Sequence, residues 1–171
     1  MLNIREDINH SEKGRGNFNL VEKIKIKIKE SSESPNKTPN KKIVNGILSI
    51  KGIVKGKHIG SSKAKIDARI EETGILVLIG TNDIIYKRLL SAYHKYKMGE
   101  IKSIIIICDS DNESWWKENE NKIIKKAGNG NRANFQDIKN ILSSIEDWYS
   151  MDYHVLILER NISKSEHEYF L

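Results

Sequence analysis

Lys65-Ile66-Asp67-Ala68-Arg69-Ile70-Glu71-Glu72-Thr73-Gly74-Ile75-Leu76-Val77-Leu78-Ile79 is the stretch whose reading decides the fold. Two strand-like runs, Ala64 to Ile70 and Ile75 to Ile79, flank Glu71 to Gly74, and the glycine predicts a tight turn joining them into an antiparallel hairpin. With those four residues as the turn, Ile70 pairs with Ile75, Arg69 with Leu76 and Asp67 with Leu78. Alternation along a strand then sends Asp67, Arg69, Leu76 and Leu78 to one face. An aspartate facing carboxylates across a hairpin is one way to hold a divalent cation for phosphodiester hydrolysis, because hard cations want several oxygens. Here the facing residues are leucines.

Downstream, Ile85, Leu89, Leu90, Tyr93 and Tyr96 share a face over Asp83 to Met98, and Gly99 supplies a C-terminal stop, which predicts a helix. Ile101 to Cys108 is a continuous apolar run, as for a strand covered on both faces. Trp115 to Ala127 and Phe135 to Tyr149 read as amphipathic helices, and Tyr153 to Leu158 as a last buried strand. Upstream, Thr38-Pro39 is a helix start, with Ile43, Ile47 and Ile50 on one face and Gly52 closing. A Gly- and Lys-rich loop runs from Ile53 to Lys63. In Val21 to Lys29, Ile24, Ile26 and Ile28 alternate with lysines, the pattern of a half-buried strand with a solvated lysine face. A hairpin followed by alternating helix and strand predicts an α/β fold, a mixed central sheet with helices on both faces.

The chain has 171 residues, 38% hydrophobic and 30% charged, enough for one domain with its own core. Residues 1–20 hold charges and glycines without a sustained period and read as a flexible arm, leaving 21–171 as the single domain. No apolar run approaches a membrane span, and the first 19 residues contain no signal-like stretch, so a cytoplasmic location without membrane contact is the default. Cys108 is the only cysteine, which excludes an internal disulfide and a cysteine-rich zinc site. As the end of a buried strand with no activating neighbour, it does not read as a nucleophile. Lys and Arg number 29 against 23 Asp and Glu, a formal net charge of +6, which favours anionic partners such as nucleic acid. There is no phosphate loop and no dinucleotide fingerprint, and the five histidines contain no pair at ligand spacing. Lys87, Arg88 and Lys95 read as a solvated helix face with phosphate contact as the functional alternative, and Tyr86, Tyr93 and Tyr96 as packing residues.

In serial order the chain reads Glu30-Ser31-Ser32-Glu33-Ser34, Thr38-Pro39, an amphipathic helix to Ile50, and Gly52-Ile53-Val54-Lys55. Lys65-Ile66-Asp67 and the turn follow, then Ile75 to Asp83, Arg88-Leu89-Leu90 and Ile101 to Cys108. This order resembles the type II restriction endonucleases of the BglII, BstYI and BamHI kind. Their pattern runs from an acidic loop through T-P, a helix, G-W-x-K, a basic loop, K-I-D and a turn to L-E-V/I-E/Q-W-N-x-K-D, then a helix near R-D-L and an apolar strand. The agreement spans Glu30 to Cys108 and extends loosely to Arg160.

The resemblance implies a PD-(D/E)XK, restriction-endonuclease-like fold, double-stranded DNA as partner, a homodimer and Mg²⁺ where cleavage occurs. It places Asp67 as catalytic residue and metal ligand, with Glu33 of the acidic loop as the best relocated ligand. Lys55, Lys63, Lys65, Arg69, Lys87 and Arg88 become the DNA-binding candidates. The remaining two ligand positions of the pattern fall on Leu76 and Leu78, its tryptophan on Ile53, and of W-N-x-K-D only Asp83 is kept. Glu71 and Glu72 read as solvated turn charges, and Asp83 as a helix cap. A lone carboxylate holds Mg²⁺ poorly and cannot serve both oxygens of an in-line displacement. The Arg69 guanidinium is expected to fill the vacated metal position beside Asp67. The expected function is therefore DNA binding with an impaired phosphodiesterase site. The alternatives are an active Mg²⁺-dependent endonuclease with relocated ligands, and a non-catalytic dimeric regulatory protein of the same fold.

Overall fold

Ile75 to Ile79 and Ile104 to Cys108 contain no polar residue on which a solvated face could be built, and each becomes a strand buried on both sides. The computed structural model describes residues 2–9, 18–32, 39–56, 66–79, 82–110, 134–145 and 152–160. In chain order these form β1 (Leu2–Asn9), α1 (Phe18–Ser32), α2 (Pro39–Leu48), β2 (Val54–Lys55) and β3 (Ala68–Ile70). Then come β4 (Thr73–Leu78), α3 (Asn82–Lys97), β5 (Ser103–Asp109), α4 (Phe135–Ser144) and β6 (Asp152–Arg160).

The strands form one six-stranded sheet in the order β1-β6-β5-β4-β3-β2. β4, β5 and β6 run parallel at its centre, while β1 on β6 and the β4-β3-β2 meander are antiparallel. Parallel neighbours need a long crossover, and α3 and α4 lie in the two crossovers, packing with Ile85, Leu89, Ile138 and Leu142 on one face of the sheet. α1 and α2 cover the other face through Val21, Ile24, Ile28, Ile43 and Ile47. The architecture is thus the mixed α/β sheet with helices on both faces that the sequence predicts.

Local chemistry fixes the helix ends. α4 begins with a capping box, in which Asn134 Oδ1 accepts from the Asp137 N–H at 2.9 Å and Asp137 Oδ2 accepts from the Asn134 N–H at 3.0 Å. α3 ends at Gly99, whose φ of 72° lets its N–H reach Tyr96 O at 3.0 Å while the Glu100 N–H reaches Lys95 O at 2.9 Å.

Three expectations need correction. Val21 to Lys29 lies in helix α1, not in a strand. Its alternating isoleucines also contain the helical series Val21, Ile24 and Ile28, at most 1% exposed, and Ile26, the odd one out, is 55% exposed. Lysine is a good helix former, and the Glu22–Lys25 and Lys27–Glu30 ion pairs at i,i+3 join along the helix. Secondly, Leu2–Asn9 is an edge strand rather than part of a flexible arm, and Phe18 to Leu20 already belong to α1. The strand holds because its charges find partners: Arg5 Nε donates to Glu159 at 2.7 Å, and Glu6 is bonded by Lys25 and His154. Thirdly, the hairpin turn is Glu71-Glu72 alone, so Ile70 pairs with Thr73 and Ala68 with Ile75, two residues from the expected register. Glu71 takes φ 47°, which lets two residues reverse the chain where four were expected. The segment Trp115 to Ala127 lies outside the described residues, as do Ala64 and Lys65.

Candidate functional site

β3 is shorter than β4, and the site is what the chain does with the difference. Pairing ends where the Asp67 N–H donates to Ile75 O at 3.1 Å. Val77, two residues further along β4, therefore presents an N–H and a C=O toward the side that β3 has left. The Asp67 carboxylate and the Arg88 guanidinium take the place of the missing strand. The Val77 N–H donates to Asp67 Oδ2 at 2.7 Å, and Arg88 Nη1 donates to Val77 O at 2.6 Å. Arg88 Nη2 closes the triangle by donating to the same Asp67 Oδ2. The two side chains are 15% and 17% exposed, so the pair sits mostly out of water.

The approach to this corner depends on Gly56. Its N–H donates to Asp67 O at 3.0 Å, and a Cβ at this position would lie 1.8 Å from Ile66 O. Only glycine allows the β2 strand end to come so close to the segment leading into β3.

Leu76 and Leu78 are fully buried, with Ile66, Ile85, Leu89, Ile106 and Cys108 in the apolar cluster beneath α3. An ionised carboxylate at either position would lose its hydration with no cation or donor to replace it. The arginine that joins Asp67 is Arg88 from α3, not Arg69 from the adjacent strand residue. Arg69 is exposed and lies close enough to Glu100 to help draw its carboxyl down, after the larger effect of the hydrogen bond from Lys95 Nζ. A guanidinium at Asp67 is thus present, but it arrives from a residue 21 positions away.

Among the other expected site residues, Lys55 is exposed on β2 opposite Ala68, while Arg69 is opposite Val54. Lys87 is exposed on α3 beside Arg88. Arg88 itself is engaged by Asp67 and Val77. Ile53, at the tryptophan position, is 7% exposed and packs in the cluster under α1 and α2. Glu33, Lys63 and Lys65 lie outside the described residues. Among the described residues no group of three or more His, Cys, Asp or Glu side chains is placed to hold a metal ion. The donor set that the described residues offer at Asp67, one carboxylate already bonded to a guanidinium and flanked by buried leucines, does not fit Mg²⁺.

A second polar cluster, unforeseen from sequence, lies near the opposite sheet edge. Glu6 on β1 accepts from Lys25 on α1 and from His154 on β6, and Lys25 also donates to Glu22 at 2.7 Å. Burial works to raise the Glu6 carboxyl, but the hydrogen bonds and charges of Lys25 and His154 outweigh it and hold the group below its ordinary value. Lys25, by contrast, is raised: desolvation opposes its charge, and Glu22 and Glu6 overcome that. His154 is 3% exposed, with the Phe18 ring set edge-on 6.4 Å away. No spacing rule links these residues, which meet only once β1 pairs with β6.

No family model matches the chain, and no curated protein matches it in sequence. Among solved structures it is similar to the crystal structure of restriction endonuclease BglII complexed with a DNA 16-mer, with a TM-score of 0.64 and 14% sequence identity. The match covers 96% of this chain and 80% of that one. The likeness establishes a restriction-endonuclease-like fold.

Proposed function

We propose that the protein binds double-stranded DNA through this fold and that its metal-dependent phosphodiesterase site is disabled. One observation carries the second half: the Asp67 carboxylate is bonded to Arg88 and to the Val77 backbone, beside two leucines that have no solvent exposure. A metal-ligating aspartate must offer its oxygens to the cation together with other hard donors. Asp67 offers its Oδ2 to a guanidinium and an amide instead. The first half is supported by the fold shared with a nuclease crystallised on DNA and by the net charge of +6.

In this reading Lys55, Arg69 and Lys87, together with Lys63 and Lys65, contact phosphate, and Asp67 and Arg88 hold the end of the β3–β4 hairpin in place. The protein acts as a homodimer in the cytoplasm. Phosphate contacts of this kind weaken steeply with salt because they release condensed counterions.

The test combines cleavage and retention in the same samples. Purified protein is incubated with unmethylated duplex DNA and Mg²⁺, then Mn²⁺, beside Asp67→Ala. A salt-sensitive gel shift without cleavage is the expected result. Discrete fragments that vanish in Asp67→Ala would show an active endonuclease with relocated ligands, Glu33 first among them. A protein that neither cuts nor shifts DNA, yet associates with itself independently of salt, would be a regulatory dimer.

A further inference from the structure

The two edges of the sheet are not alike. β2 is only two residues long and ends against Gly56, a short edge of the kind that discourages further pairing. β1 runs for eight residues, about 26 Å of strand, and among the described residues no strand pairs with its outer side. An edge of that length is a template for another strand, and natural sheets usually shorten, cover or charge it.

The sequence of this edge is close to its own reverse. Asn3-Ile4-Arg5-Glu6-Asp7-Ile8-Asn9 reads the same in both directions except that Arg5 and Asp7 exchange charge. In an antiparallel pair, directly opposed side chains lie on the same face, so a symmetric pairing of this strand with itself must oppose residues of equal parity. The pairing centred on Glu6 meets that condition. It opposes Asn3 with Asn9, Ile4 with Ile8, and Arg5 with Asp7, each twice because of the two-fold axis.

We propose that β1 is a dimer interface, pairing antiparallel with β1 of a second copy about a two-fold axis at Glu6 to give a continuous twelve-stranded sheet. Three features of the chain fit this partner. Arg5 and Asp7 are complementary only to a strand carrying opposite charges in reversed order, which a second copy supplies. Ile8, 39% exposed, is covered by Ile4 of the other copy. The one like-charged opposition, Glu6 across the axis from itself, is relieved within each copy by Lys25 and His154, both of which bond that carboxylate. Within its own copy Arg5 also donates through Nε to Glu159. The inference does not rest on DNA binding, and a dimer formed this way would persist without DNA.

Charge exchange tests it. Sedimentation velocity of the full chain across a concentration series is expected to show a dimer. Arg5→Asp and Asp7→Arg, each alone, oppose like charges twice and are expected to weaken the dimer by about tenfold or more. Mixing the two variants restores opposite charges in a heterodimer, and recovery of the dimer peak is the decisive expected result. A native chain that stays monomeric throughout, or a dimer that both variants leave intact, would overturn the proposal. If either variant does not fold, hydrogen exchange of the unaltered chain decides instead: amides of Leu2–Asn9 must gain protection as concentration rises, and equal exchange at all concentrations in a dimeric sample refutes the interface.

Discussion

Replacing Asp67 by alanine removes two things from the end of the β3–β4 hairpin: the acceptor for the Val77 N–H and the counter-ion of Arg88. A buried donor left without a partner costs about 1–3 kcal/mol. Removing one member of a buried ion pair costs roughly 3–5 kcal/mol, and the lower end applies because the Arg88 side chain keeps 17% exposure and can turn toward water. The two losses overlap at one carboxylate, so the expected total is about 3 kcal/mol, a factor of about 150 in the folding equilibrium. The sign is the informative part. Where carboxylates are gathered to bind a cation, like charges oppose each other in the empty site, and removing one is neutral or stabilising. Equilibrium urea unfolding without metal would measure Asp67→Ala, Arg88→Ala and the double variant. The double variant should cost little more than either single one, giving a coupling of about 2 kcal/mol. An Asp67→Ala protein as stable as the native chain, or more so, would refute the reading of Asp67 as a structural clamp.

Leu78→Glu places a carboxylate where exposure is zero; it should cost about 4 kcal/mol or more in thermal unfolding, and Mg²⁺ should not restore the loss. Gly56→Ala pushes a methyl into Ile66 O, so a loss of about 2 kcal/mol or more is expected by chemical denaturation, accompanied by exchange broadening of Asp67 and Val77 amides in NMR spectra. For Glu6, whose carboxyl is held low in the folded protein, the stabilising contribution is complete above the ordinary value of 4.5 and is lost as pH falls through the lower folded value. Lys25 is raised, so its contribution is complete below 10.5 and is lost as pH climbs through the higher folded value. Stability measured against pH should therefore fall at both ends, and Glu6→Gln should flatten both limbs.

Much of the fold was legible because some segments admit one reading. Ile104 to Cys108 is apolar without interruption, which suits only a strand covered on both faces at that length, and Gly99 marks the end of α3 by the backbone conformation it adopts. α1 was misread because Val21 to Lys29 satisfies two periods at once, and only the tertiary fold chooses between them. β1 was missed because its charges look like those of a solvated tail until Glu159, Lys25 and His154 are brought beside them. The pairing of Asp67 with Arg88 was half legible. A guanidinium beside Asp67 was expected, but which arginine supplies it depends on how α3 packs. The available signal was the position of Arg88 at the border of the buried stripe Ile85, Leu89 and Ala92.

The order of strands across the sheet also sets a timetable for synthesis. β5 is paired on one side by β4, made shortly before it, but on the other by β6, whose residues Asp152–Arg160 follow only after the long segment that contains α4. Among the described strands β1 waits longest, because Leu2 pairs with Arg160, at the far end of the described residues. While the ribosome works through the intervening segment, the four-isoleucine run of β5 presents a bare edge of the kind that recruits other strands. Contacts this remote along the chain also close slowly. A polypeptide arrested before Asp152 thus carries an adhesive centre without its seal, and belongs to the class of nascent chains that chaperones must hold until β6 emerges.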